Sequence, residues 1–141
     1  MNRPIRPKTS SIPKPSALTK PFWDAAKEKK LVIQYDPDSR CYQWWPRALS
    51  VKTGKMNLEW REVSGNGNLY SYTVTHVPAL GFEDKVPYLV GLVELDEGVR
   101  IISNLSGITE DNAKIGMPLR VTWEKLTDDI NLFSFAPRNA E

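Results

Sequence analysis

The residues of this sequence that could carry chemistry are few, and their spacing limits what they could do. Cys41 and His76 are the single cysteine and the single histidine of 141 residues. A nucleophilic thiol needs a base within hydrogen-bond reach and a third group to orient that base. Without such a constellation a lone thiol behaves as a small hydrophobe, and a lone imidazole packs or touches a ligand. One cysteine also excludes an intrachain disulfide framework and a multi-thiolate metal site. Glu94, Asp96, Glu97, Asp128 and Asp129 fall in turn-forming clusters, where a carboxylate is solvated by default. Gly65-x-Gly67 lies inside a strand pattern rather than ahead of a helix, so it does not read as a phosphate loop. The chain reads as lacking catalytic residues of its own.

The elements that must position these residues are mostly strands. Leu69, Ser71, Thr73 and Thr75 alternate with Tyr70, Tyr72, Val74 and His76, the period of two that sends side chains to opposite faces of a sheet. Leu58, Trp60 and Val63 begin a similar run, and Gly65-Asn66-Gly67-Asn68 interrupts it, so residues 58–80 read as one long strand bent in its middle. Pro87–Leu95 and Val99–Leu105, joined through Asp96-Glu97-Gly98, form a hairpin. A short helix is expected after Thr109, with Glu110 and Asp111 in its first turn and Gly116 as its stop. Leu119–Leu126 and Ile130–Phe135 supply two more strands. Three strands, a helix and two strands is the order of a five-stranded OB-fold barrel, expected over residues 58–141.

Upstream, residues 1–18 are rich in proline and basic side chains and are expected to form an extended or disordered arm unless a partner subunit orders it. Pro21 suits the first turn of a helix, and Phe22, Trp23 and Ala26 give it an apolar face, so residues 1–30 read as a basic arm and a short helix. Residues 31–57 form a small aromatic subdomain of the kind that needs a staple, although no metal-binding set is present. The first 30 residues hold eight Lys and Arg against Asp24 and Glu28, a balance of +6, which leaves −4 for the rest of a chain whose net charge is +2. An acidic barrel repels a phosphate backbone, so nucleic acid is disfavoured as a ligand despite Tyr70, Tyr72 and Tyr88. No apolar run approaches the ~20 residues of a membrane span, and no apolar stretch follows Arg3, Arg6 and Lys8, so a cytoplasmic location without membrane contact is expected.

Five segments, in order, resemble the DUF35 family: PFWDAA at 21–26, PR at 46–47, LEWREVSGNGNLYSYTVTH at 58–76, VPYLVGLVELDEGVRIISNL at 86–105 and IGMPLRVTW at 115–123. The resemblance implies a rubredoxin-like zinc ribbon ahead of an OB-fold. The two Cys-x-x-Cys pairs of that ribbon fall on Asp36, Ser39, Ser50 and Thr53, none of them cysteine, and Cys41 is off the pattern. One carboxylate and three hydroxyls make a poor zinc set, so a ribbon that lost its metal is expected, with no cofactor and with Tyr42, Trp44 and Trp45 compensating by burial.

Members of that family accompany thiolases in acyl-CoA metabolism, as separate subunits or fused domains. The resemblance therefore implies a hetero-oligomer in which this chain caps a thiolase-fold enzyme and helps bind a coenzyme A thioester, while the catalytic residues belong to the partner. Phe22, Trp44 and Trp45 are the candidate anchors for the partner. The loop from His76 to Tyr88 is the candidate acyl-CoA contact: Phe82 offers an apolar wall, and Lys85 with Arg47 offers charge for the nucleotide phosphates. An OB-fold nucleic-acid binder and a stand-alone small-molecule binding protein are the alternatives.

Overall fold

The computed structural model describes residues 12–78 and 83–138. Its order is α1 (Lys20–Lys27), β1 (Val32–Asp36), β2 (Cys41–Gln43), β3 (Glu59–Glu62), β4 (Asn66–Thr75), β5 (Tyr88–Leu95), β6 (Arg100–Asn104), β7 (Pro118–Lys125) and β8 (Asn131–Pro137). Residues 1–11 of the expected arm lie outside the described residues.

Helix α1 starts at Lys20-Pro21, where proline's fixed φ and missing N–H cost nothing, and buries Phe22 and Ala26. It stops at Lys29, whose φ of 60° is left-handed, with the Lys30 N–H turned back to Ala25 O at 2.9 Å. Asn131, at the start of β8, donates from Nδ2 to Ala26 O at 3.0 Å and Lys27 O at 3.2 Å. A residue more than a hundred positions away thus satisfies carbonyls the helix leaves open.

Strands β2-β1-β3 form a small antiparallel sheet, and β6-β5-β4-β7-β8 form a five-stranded one. The second sheet nearly closes on itself: Leu105 bridges Phe135 in parallel, and the Ser106 N–H donates to Phe135 O at 2.7 Å. This is the expected mostly β, OB-type barrel. Its core is built from the inward faces of alternating strands, with Leu69, Val93, Leu95, Ile101, Leu119 and Phe135 all at or below 2% exposure. Phe22, Leu31 and Ile33 join the same cluster, so helix, small sheet and barrel share one core.

The long bent strand expected over 58–80 is two strands. β3 pairs with β1, Val32 opposite Glu62 and Tyr35 opposite Glu59, and so belongs to the small sheet, which extends past residue 57. The break falls at Gly65, whose φ is 77° and whose missing Cβ leaves room for the Val121 side chain. Period-two alternation identifies a strand but not its partner. The actual bulge lies farther along, between Leu69 and Ser71, where Tyr70 is the extra residue against β5.

The helix expected after Thr109 does not form; turns occupy its place. Asn112 Oδ1 accepts the Thr109 N–H at 2.7 Å, and Gly116, at φ 88°, donates its N–H to Leu69 O at 2.7 Å. Seven residues must cross to the edge of β4, which leaves too few for a nucleated helix.

Candidate functional site

Two regions draw together the residues singled out from sequence: the loops of the small sheet and the open end of the barrel.

In the small sheet, Asp36 ends β1 and is 1% exposed. Its carboxylate is the hub of a hydrogen-bonded knot. The Asp38 and Ser39 N–H groups donate to Oδ1 at 2.9 and 3.3 Å, and Asn57 Nδ2 donates to it at 3.4 Å. Oδ2 accepts from the Ser50 hydroxyl and, at 3.2 Å, from Thr53 Oγ1. Ser50 Oγ in turn accepts the N–H groups of Lys52 at 3.1 Å and Thr53 at 3.2 Å. The four positions 36, 39, 50 and 53 therefore do meet, around a carboxylate. The Ser50 hydroxyl, with smaller contributions from the N–H groups, holds Asp36 well below the usual carboxylate range against the opposing effect of burial. A zinc ion does not fit this set. The carboxylate is already saturated with donors, the hydroxyls that reach it are spent on it, and the Cys41 thiol points instead to Ser39 O at 3.4 Å.

A second pin was missed from sequence. Gln34 and Gln43, both buried, lie opposite each other across β1 and β2. Gln34 Nε2 donates to Arg47 O at 2.7 Å, and its Oε1 accepts the Arg47 N–H at 2.8 Å. Gln43 donates to Leu49 O at 3.3 Å and accepts the Val51 N–H at 3.0 Å. The available signal was a pair of amides at alternating, inward positions of two short strands, where an unpaired amide is costly.

Of the proposed anchors, Phe22 is core: its ring lies 5.5 Å from Trp44, 5.1 Å from Trp23 and 6.0 Å from Phe133. Trp44 is half-buried against Phe133, with ring centroids 5.9 Å apart, and joins the small sheet to the barrel. Trp45 is the exposed member.

At the barrel's open end, Thr75 pairs with Tyr88, so His76 and Tyr88 share the same end of β4 and β5, with His76 exposed. Lys85 lies close enough to act on Glu124 of β7, whose carboxyl is pushed up by burial while Lys85 opposes the shift. Phe82 lies outside the described residues. Arg47 is not part of this group; it is exposed on the small-sheet loop. Beside Tyr88 opens a cleft of ≈ 370 Å³ walled by Val74, Leu89, Leu105 and Ile108, with Glu110 and Asp111 on its rim. Cys41 begins β2 of the small sheet and His76 follows the end of β4 of the barrel, and among the described residues no group of three or more His, Cys, Asp or Glu could hold a metal.

A family model described as "ChsH2, C-terminal OB-fold domain" matches residues 60–124. The "probable enoyl-CoA hydratase alpha subunit" of Thermomonospora curvata is 38% identical over 118 residues, covering 82% of this chain and 36% of that protein. A "DUF35 domain-containing scaffold protein" of Methanocaldococcus jannaschii is 32% identical over 75 residues, 53% of each chain. The chain thus spans between about a third and about half the length of these curated relatives. Among solved structures, a chain of the "Ltp2-ChsH2(DUF35) aldolase" superposes with a TM-score of 0.79 at 33% identity, over 89% of this chain and 98% of that one.

Proposed function

The chain belongs to the DUF35 family, and on that premise we propose that it is a non-catalytic accessory subunit that binds a thiolase-fold enzyme and helps hold the acyl-CoA substrate of that enzyme. The observation that carries this reading is the likeness, at 33% identity and over 98% of that chain's length, to a chain of the solved "Ltp2-ChsH2(DUF35) aldolase". The chemistry of the chain agrees with it. Cys41 and His76 make no nucleophile and base pair, so catalysis is left to the partner.

The barrel end offers what a pantetheine arm needs, an apolar cleft lined by Val74, Tyr88, Leu89, Leu105 and Ile108, while His76 follows β4 and Lys85 precedes β5 at the same end of these paired strands. The knot at Asp36 takes the place of a metal, so the subunit works without zinc.

Co-expression with a thiolase-fold enzyme of the same genome, followed by size exclusion and titration with coenzyme A, tests the proposal. A stable complex is expected, and a Phe82→Ala, Lys85→Ala variant of that complex should bind coenzyme A about tenfold more weakly, or ~1.4 kcal/mol. Separate elution of the two proteins defeats the partner assignment. An intact complex with unchanged coenzyme A affinity defeats the ligand site.

A further inference from the structure

We propose that residues 44–56 form a preshaped docking tip that enters an apolar, acid-rimmed recess on the partner enzyme. This rests on the accessory-subunit reading above and names the surface and the chemistry it recognises.

Three observations converge on this loop. First, it exposes large apolar side chains in unusual concentration: Trp45 at 56%, Leu49 at 46%, Val51 at 58% and Met56 at 81%. Scattered exposed hydrophobes are ordinary, but four within twelve consecutive residues concentrate exposed apolar surface on one short loop. Second, residues 40–57 contain Arg40, Arg47, Lys52 and Lys55 and no acidic residue. Lys55 is paired with Asp38 at 3.2 Å, whereas Arg40, Arg47 and Lys52 are exposed and make no ion pair among the described residues. Exposed apolar side chains on a loop whose only charges are cations fit an apolar recess edged by carboxylates.

Third, the loop is held rigid in ways that its own burial does not require. Gln34 and Gln43 clamp the backbone of Arg47, Leu49 and Val51, and Asp36 with Ser50 clamps Lys52 and Thr53. Trp44, stacked edge-on against Phe22 and Phe133, fixes the root of the loop on the barrel. A loop already held in one shape loses little conformational entropy on docking, which is where affinity is gained. The occupant is a protein surface rather than a nucleic-acid strand, because three of the four exposed apolar side chains, Leu49, Val51 and Met56, are aliphatic, and Trp45 alone does not make the run of stacking rings that successive bases use.

The test uses the full chain and each thiolase-fold enzyme of its genome, immobilised in turn, without coenzyme A. Trp45→Ala and Val51→Ser change exposed side chains and should leave the melting temperature in place while weakening binding at least about tenfold. The Arg40→Gln, Lys52→Gln variant should slow association, and it should flatten the loss of wild-type affinity between about 50 and about 500 mM salt. Wild-type binding with unaffected tip variants, or with no salt dependence, overturns the tip and leaves the accessory role standing. Absence of wild-type binding to every such enzyme overturns both. Phosphatidylserine vesicles form the remaining arm: if the tip substitutions abolish vesicle binding and spare enzyme binding, the loop is a membrane element and the proposal is wrong.

Discussion

Replacing Ser50 by alanine removes one oxygen and should weaken the whole small sheet. Ser50 is 4% exposed, donates to Asp36 Oδ2, and accepts the N–H groups of Lys52 and Thr53. In Ser50→Ala, Oδ2 keeps only the Thr53 hydroxyl at 3.2 Å, and two N–H groups face a methyl group. A hydrogen bond to a charged group contributes about 1.5–3 kcal/mol, and the two stranded N–H groups are near enough to the surface for water to reach, so the loss should be about 2–3 kcal/mol. For a chain of this size that lowers the melting temperature by about 6–10 °C.

The same substitution has a pH signature. Because folding depresses the Asp36 pKa, its contribution to stability is complete above the ordinary carboxylate value and disappears as pH falls through that value toward the folded one. Wild-type stability should therefore decline from about pH 4 downward. Ser50→Ala, lacking the largest cause of the depression, should show a shallower decline. Urea midpoints measured across this range report both effects. A Ser50→Ala protein within about 0.5 kcal/mol of wild type at neutral pH, or with an identical acid slope, would refute the knot as a staple.

Two further outcomes follow from the geometry. Gly67→Ala should unfold the protein or leave it insoluble on expression, because a Cβ there meets the Glu94 carbonyl and the Leu95 Cα, both backbone atoms of the paired strand; soluble protein with wild-type circular dichroism counters this. Protein dialysed against a chelator and then offered zinc should retain a substoichiometric amount by elemental analysis, since the Asp36 oxygens are already filled with donors; one tightly held zinc per chain would show that the knot opens to take a metal.

Much of the barrel was legible because alternation survives in its strands. The inward set Leu89, Gly91, Val93 and Leu95 could be read directly from Pro87–Leu95. The place of β3 was not legible: Glu59, Trp60, Arg61 and Glu62 alternate like any edge strand, and it takes the pairing of β3 with β1, with the turn at Gly65 against Val121, to show that the chain leaves one sheet before entering the other. The turn at Thr109 carried helix-capping residue types, but length decided against a helix. At the candidate site, the family pattern located Asp36, Ser39, Ser50 and Thr53, while the division between buried Phe22 and exposed Trp45 depended on where α1 lands against β8. The glutamine clamps were missed because two inward amides on short strands mark a buried polar pair without saying which backbone groups they would hold.

The barrel is joined into a ring by shorter ladders than those inside its hairpins. β4 meets β7 through Asn66, Gly67 and Asn68 opposite Arg120, Leu119 and Pro118, extended by Val121 N–H to Gly65 O, Leu69 N–H to Met117 O and Gly116 N–H to Leu69 O, and the far side is closed by the Leu105–Phe135 bridge, with Ser106 donating to Phe135 O. Within each half, by contrast, the strands are hairpin neighbours paired along most of their length. The meander β4-β5-β6 and the hairpin β7-β8 are therefore expected to behave as two local units, with their association the step of highest loop-closure cost. In native-state hydrogen exchange the amides of Ser106 and Leu69, which span the joins, should open at lower free energy than those at the centre of β5, so the molecule parts along its seams before its hairpins come undone.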